Sequence, residues 1–303
     1  MLSSLSGLLS WRKKTGASEQ TQPFSLLYDT IRWEEKAIVG AAEKRGIRAN
    51  LVDSKDISMD VVSGKRPLDD AVVLQRCVSY FRNVHSTAAL EAAGHRVINS
   101  FLCAWVCGNK LFGTLELVKH KVATPRTVLS MSEDSALRSA EEMGYPLVLK
   151  PVVGSWGRLS ALLKDKDAAR AVVEDREHMF PLYQIYYLQE FVKRPPRDIR
   201  SFVIGGKTIA AIYRYSGGSE WRTNTARGGR AEACKITPEL DELSLKAADA
   251  VGGEIVGVDL MEGEDGLLVH EVNNTTEFKN TVPATGVDIP GMIIDYLISV
   301  QKR

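Results

Sequence analysis

Residues 254–276 read EIVGVDLMEGEDGLLVHEVNNTT, two apolar runs around Glu264-Asp265-Gly266. The three-residue link carries a glycine that can take the left-handed position of a hairpin turn. Folding the runs back sets Asp259 opposite Glu271. Because side chains alternate along a strand, Asn273 projects to the same face as Glu271, and three hard oxygen donors converge at one end of the hairpin. Such a set suits Mg²⁺, which keeps waters and takes its remaining ligands from substrate phosphates, so the metal site points on to a nucleotide. Taken alone, the segment is equally consistent with a solvated hairpin that happens to carry acids.

The chain has 303 residues, 44% of them hydrophobic, enough for a large core divided among two or three lobes. A formal charge of +1 lacks the strongly basic stripe that nucleic-acid binding requires, so no nucleic-acid partner is expected. No apolar stretch approaches the roughly 20 residues of a membrane helix, so no span is expected either. Four cysteines, Cys77, Cys103, Cys107 and Cys234, form no C-x-x-C pair and read as buried thiols of a protein in the reducing cytoplasm. In the Ser-rich N-terminus the basic residues follow the apolar stretch and no A-x-A cleavage site stands out, which favours a flexible extension over residues 1–23 and not a secretory signal.

From Phe24 the pattern alternates strands and helices. Phe24–Tyr28, Ala49–Val52, Ala71–Leu74 and Arg96–Ile98 read as strands, Trp33–Arg45 as a helix stopped by Gly46, and Thr87–Ala93 and the stretch from Leu102 to Cys107 as further helices. That alternation predicts a parallel α/β domain over residues 24–108. A central lobe (109–186) follows, with helices Leu111–Lys119 and Ser132–Glu142, strands ending at Lys150 and running over Leu159–Leu163, and a helix from Asp167. The C-terminal lobe (187–303) carries strands near Tyr186–Val192, Ile199–Ile204 and Thr208–Tyr213, helices over Asp241–Val251 and Gly291–Ser299, and the acidic hairpin. The fold class is α/β, with α+β lobes after the first domain.

Lys150 ends a strand and is followed by Gly154, Ser155, Trp156, Gly157 and Arg158 before the next strand at Leu159 and Ser160. This is the form of a hairpin flap over phosphates, in which glycines let backbone N–H groups approach an anion. An ordinary hairpin needs glycine too; the flap gains weight from Lys110 at the lobe boundary, a second ammonium available to phosphate. Gly206-Lys207-Thr208 resembles the end of a Walker A motif, but its first glycine would fall on Ser201, and no strand-linked G-x-G-x-x-G is present. Gln189, Glu190, Phe191 and Val192 form an apolar strand that reads either as a hinge offering backbone groups to adenine or as an edge strand with exposed acids. Downstream, Arg222, Asn224, Thr225 and Arg227 lie in a polar, glycine-ended segment whose guanidinium forks suit carboxylate or phosphate. The five histidines show no ligand spacing, and His270 is expected to face away from Glu271.

Lys110, Lys150-Pro151, the GSWGR loop, QEFV, Asp198-Ile-Arg200, RTNTARGG, VGVD and EVNN stand in the order found in ATP-grasp ligases, and they resemble the branch containing the ribosomal-protein S6 modification enzymes. The likeness is closer still to the LysX type, the α-aminoadipate–LysW ligases, through Tyr28-Asp29, Arg32-Trp33-Glu34-Glu35-Lys36, Leu74 to Arg82, Val97 to Ser100 and Glu277-Phe278-Lys279. It spans nearly everything after residue 24. The resemblance implies an ATP-grasp fold behind an N-terminal parallel α/β domain. It implies ATP held by Lys110, Lys150, residues 154–160, residues 189–192, Asp198, Arg200, Arg214 and Asn224, and Mg²⁺ held by Asp259, Glu271 and Asn273. Arg200 and Arg222 are assigned to the transferring phosphoryl group and the oxyanion, and Arg222, Thr225, Arg227, Asn280 and Thr281 to the substrate. The implied partners are an acidic carrier protein, LysW, and α-aminoadipate, in a cytoplasmic homo-oligomer. Asn280-Thr281 is similar to the form associated with aminoadipate enzymes, whereas glutamate-using relatives tend to carry Gly-Phe. Glutamate ligation to the same carrier, a ligase acting on protein tails and a nucleotide-binding sensor are the alternatives.

Overall fold

A computed structural model of the chain describes residues 22–216 and 230–302. Strands β1 (Phe24–Tyr28), β2 (Ala49–Asp53), β3 (Val72–Gln75) and β4 (Arg96–Ile98) form a parallel sheet in the order β2-β1-β3-β4. β1 and β3 are buried along nearly their whole length, which is why each reads as an unbroken apolar run without alternation. Helix α1 (Trp33–Lys44) joins β1 to β2, and α2 (Tyr80–Ala92) joins β3 to β4. α2 starts at Tyr80, not at the expected Thr87, because the Ser79 hydroxyl accepts from the Arg82 N–H and caps a helix whose first turn carries no acid.

Helices α3 (Phe101–Cys107) and α4 (Lys110–Lys119) lead into a four-stranded antiparallel sheet of β5 (Thr127–Ser130), β6 (Leu147–Lys150), β7 (Ala161–Leu163) and β8 (Tyr186–Glu190), ordered β5-β8-β6-β7. Its helices α5 (Glu133–Met143) and α6 (Lys166–Glu177) bury Ala136, Ala140, Ala169 and Val173 against Leu147, Leu149, Leu163 and Leu188. β7 begins at Ala161, two residues later than expected, since Leu159 has φ +57° and cannot extend the strand. β8 stops at Glu190, leaving Phe191 and Val192 beyond it.

The C-terminal sheet runs β11-β10-β9-β12-β13, from β9 (Arg197–Ile204), β10 (Lys207–Tyr215), β11 (Ala231–Ala233), β12 (Ile255–Gly263) and β13 (Gly266–Asn273). α7 (Pro238–Ala250) covers one face. The other face meets α9 (Ile289–Gln301), which is wedged between this sheet and α1, so Phe24, Leu26 and Ile38 share one core with Phe202, Ile204, Ile293 and Leu297. Each such fully buried side chain contributes about 2 kcal/mol, which makes the N-terminal sheet and the C-terminal sheet parts of one packed body. A short helix, α8 (Thr281–Thr285), precedes α9. The β12–β13 link is two residues, Glu264 and Asp265, between the paired glycines Gly263 and Gly266, one fewer than expected, and Gly266 takes φ +130°. Among the described residues no single helix is long and apolar enough to cross a membrane.

Candidate active site

The hairpin register pairs Asp259 with Glu271 and Gly257 with Asn273, so Glu271 and Asn273 share a face beside Asp259 as the spacing predicts. Between Asp259 and Leu260 the register slips, because Leu260 pairs with Val269. His270 is the extra residue of this bulge. It therefore lines the same cavity as Glu271, contrary to the expected alternation, and neither ring nitrogen has a hydrogen-bond partner among the described residues.

That cavity, about 1050 Å³, lies among the three sheets. On its floor Arg200 donates Nε and Nη2 to the two oxygens of Asp259, both at 2.6 Å. Arg214 donates to both oxygens of Asp198 at 2.7 and 2.8 Å and lies 3.1 Å from Asp259 Oδ2. Asp198, Arg214 and Asp259 are all at most 5% exposed, and two acids paired with two guanidinium groups are what permits so much charge below the surface. Burial pushes the Asp259 carboxyl up, but Arg200 and Arg214 outweigh it and hold the group well below the usual carboxylate range. The Asn273 amide reaches Asp259 Oδ2 at 3.4 Å, and Glu271 lies 3.9 Å from the Lys110 ammonium. Asp259, ionised, with Glu271 and Asn273 thus offers the hard-oxygen donor set that a Mg²⁺ ion requires.

Opposite stand the two lysines. Lys110 donates to the Gly154 carbonyl at 2.6 Å and so ties α4 to the flap. Lys150 is half-buried and donates to Gln189 Oε1 at 2.6 Å; desolvation lowers its pKa to about 8, with Glu271 opposing and Lys110 and Arg194 reinforcing the shift. In the flap, Gly154, Ser155, Trp156, Gly157, Arg158 and Ser160 line the cavity, and Trp156 and Gly157 take positive φ. The Arg158 guanidinium stacks 4.9 Å from the Trp156 ring. Leu159 does not line the cavity; its carbonyl accepts from buried Arg176.

The side chains of the expected hinge have partners of their own. Gln189 is buried and its amide serves Lys150, Thr127 and Tyr187, while the Glu190 carboxylate accepts from the Arg126 N–H. Neither these two nor Phe191 and Val192 line the cavity, so Gln189 reaches the site only through Lys150. Asn280 and Thr281 do line it, beside Lys279. Arg222, Asn224, Thr225 and Arg227 lie outside the described residues.

Sequence reasoning missed the wall supplied by the first sheet. Asp29, at the C-terminal end of β1, accepts from the N–H groups of Val78 and Ser79 at 2.8 and 3.0 Å, and Arg32 and Glu34 line the cavity with it. The rule that ligands bind beyond the carboxyl ends of parallel strands was the available signal.

A flap, a lysine pair and an acidic hairpin set between two antiparallel lobes behind a parallel α/β domain define an ATP-grasp ligase. The chain belongs to the RimK-like ATP-grasp family, whose domain model matches residues 108–297, and the LysX preATP-grasp domain matches residues 24–106. It is 39% identical over 277 residues to the alpha-aminoadipate–LysW ligase LysX of Sulfolobus acidocaldarius, covering 90% of this chain and 100% of that one. It is 32% identical to the glutamate–LysW ligase ArgX of the same organism over 275 residues, 90% of this chain and 97% of that one. Among solved structures it resembles the RimK-domain ATP-grasp protein of Sphaerobacter thermophilus, with TM-score 0.75 and 25% identity over 90% of this chain and 98% of that one. The protein is an ATP-dependent carboxylate–amine ligase.

Proposed function

We infer that the enzyme joins the amino group of α-aminoadipate to the side-chain carboxylate of the C-terminal glutamate of an acidic carrier protein of the LysW kind, a step of lysine biosynthesis in the cytoplasm. The observation that carries this reading is the likeness to LysX at 39% identity over 90% of the chain. The presence of Asn280 and Thr281 on the cavity wall supports it.

A carboxylate oxygen of the carrier attacks the γ-phosphorus of ATP, the bond to the β-phosphate oxygen breaks, and ADP leaves with an acyl phosphate formed. The amine nitrogen then attacks the acyl carbon, the carbon–oxygen bond to phosphate breaks, and the nitrogen loses its proton as the amide forms. Asp259, Glu271 and Asn273 would hold Mg²⁺, which when bound neutralises phosphate charge. Lys110, Lys150 and the flap at residues 154–160 steady the triphosphate. Arg200 is assigned to the transferring phosphoryl group, Asp198 and Arg214 hold Asp259 in place, and the family resemblance assigns Arg222 and Asn224, outside the described residues, to the oxyanion and ATP. Asn280 and Thr281 are assigned to the amino acid, and the family resemblance assigns Thr225 and Arg227, outside the described residues, to the same substrate. No side-chain nucleophile is required, so the protein acts by positioning and electrostatic stabilisation.

The second reading, glutamate as amino donor, is favoured by the likeness to ArgX at 32% identity. Intact-mass measurement of the carrier after incubation with Mg-ATP and either amino acid separates the two. An aminoadipate adduct is expected; a glutamate adduct alone would reject the aminoadipate assignment, and both adducts would make the enzyme bifunctional.

A further inference from the structure

The loop that leads from β13 to Asn280 and Thr281 belongs to the C-terminal sheet in sequence, yet the N-terminal domain holds it almost residue by residue. Asn99 Nδ2 donates to the Asn274 carbonyl at 2.9 Å, Asn83 Nδ2 to Thr275 Oγ1 at 3.2 Å and Arg76 Nη2 to the Thr276 carbonyl at 3.2 Å. Arg32 pairs with Glu277 at 3.4 Å. Glu34 closes the series: its Oε1 accepts from the backbone N–H groups of both Phe278 and Lys279, at 3.1 and 2.9 Å. The Phe278 ring is packed edge-on against Trp33, with Arg76 on its other side.

Glu34 is 3% exposed and lines the cavity. Its neighbour Glu35 binds Arg32 and Arg76, which fixes the first turn of α1 and hence the direction of the Glu34 side chain. The next residues after the Glu34 clamp, Asn280 and Thr281, open α8 and line the cavity. Their distance from Lys150 and Asp259 is therefore set by α1, an element of another domain.

We propose that Glu34 is a positioning residue for amino-acid selection: by clamping the Phe278 and Lys279 amides it fixes how far the Asn280–Thr281 wall stands from the phosphoryl end of the cavity, and so which dicarboxylic amino acid fits. The inference rests on the reading that this cavity takes aminoadipate or glutamate. Replacing a buried acceptor leaves two donors unpaired, whereas glutamine keeps an oxygen at the same place.

The test compares Glu34→Ala and Glu34→Gln with the parent enzyme, using carrier protein, Mg-ATP and each amino acid in turn. Glu34→Ala is expected to raise KM for the amino acid by about tenfold and to narrow the preference between the two by about fivefold, with KM for ATP changed by less than about twofold. Glu34→Gln is expected to stay within about threefold of the parent. A loss in Glu34→Gln equal to that in Glu34→Ala would mean a charge contact with the substrate, and a fall in kcat alone would mean a merely structural role; either overturns the proposal. Hydrogen exchange at the Phe278 and Lys279 amides supplies a readout that needs no substrate: Glu34→Ala should exchange about tenfold faster there, and unchanged protection would overturn the clamp. Should Glu34→Ala not fold, Glu34→Asp, which withdraws the carboxylate by one methylene, reads the same amides and the same KM. A parent enzyme that labels the carrier with neither amino acid rejects the substrate assignment while the exchange result still decides the clamp.

Discussion

Arg200 grips both oxygens of Asp259 at 2.6 Å, so the acid proposed to hold a cation is held ionised and in a fixed orientation by its partners. Arg214 approaches the same carboxylate from the side, and its own pKa is raised because Asp198 and Asp259 outweigh the effect of burial. Preorganisation of this kind is what an electrostatic catalyst needs, since the charges do not have to reorient during the reaction.

Asp259→Asn removes a charge but little volume. It should leave Arg200 without its counter-ion and Arg214 with only Asp198, destabilising the protein by about 3 kcal/mol, as breaking a buried pair does. Turnover should fall by roughly a thousandfold, the scale lost with a principal electrostatic stabiliser. Thermal unfolding and ADP release measure the two effects, and near-parent values in both would exclude Asp259 from the site.

Gln189 acts at one remove. Gln189→Leu keeps the strand packed but takes away the acceptor of the Lys150 ammonium and the donor to Thr127 and Tyr187. A cost of about 1–3 kcal/mol in stability is expected for the groups left unpaired. ATP affinity should fall by about tenfold, because Lys150 is no longer held in register. Calorimetric titration with ATP, in the presence and absence of Mg²⁺, checks this; unchanged affinity would show that Lys150 needs no such partner.

Lys150 also gives the enzyme a pH signature. Its pKa in the folded protein is lowered to about 8 by burial, below its unfolded value. Between the folded and unfolded values the unfolded chain binds more protons, so the stability contribution of this group rises with pH from about 8 upward, and the full penalty for burying the ammonium is present below that. ATP binding has the opposite slope. Phosphate favours the charged lysine, so affinity should weaken progressively above pH 8, by up to about tenfold at pH 9, and proton uptake should accompany binding there. Lys150→Met should bind weakly at every pH and lose both the slope and the proton uptake. A parent affinity flat between pH 7 and 9 would contradict the lowered pKa.

How much of this was legible in the sequence depends on how local the cause is. The pairing of Asp259 with Glu271 follows from a short link and strand alternation, and both are local. His270 was misread because a bulge adds a residue without any mark in composition, and one such residue reverses the facing of its side chain. For Gln189 the strand was legible, but which of its faces meets Lys150 depends on the antiparallel pairing of β6 with β8, which no periodicity reports. The hold of Glu34 on Phe278 and Lys279 joins positions far apart in the chain, so only the packed fold reveals it.

Gly257 tests that hold from the opposite side. It sits in β12 opposite Asn273, and a Cβ there would fall 2.3 Å from Thr276 Oγ1 and 2.9 Å from Thr276 Cβ. Glycine is needed for this close approach and not for an unusual φ. Gly257→Ala must push the loop off the sheet, while the N-terminal domain pulls it the other way through Arg76 and Glu34. The conflict should cost about 1–3 kcal/mol, as overpacking does elsewhere. It should also move Asn280 and Thr281 relative to Asp259, so KM for the amino acid should rise by about tenfold while KM for ATP changes little, the pattern expected when ground-state contacts to one substrate are lost. Thr276→Ala would remove the Oγ1 that a Cβ at Gly257 meets at 2.3 Å, giving up only the weak contact from Arg200 at 3.4 Å. The double variant should recover part of the amino-acid KM. If Gly257→Ala instead weakened ATP binding first, the close approach would serve the phosphate end of the cavity and the loop would not be the element it constrains.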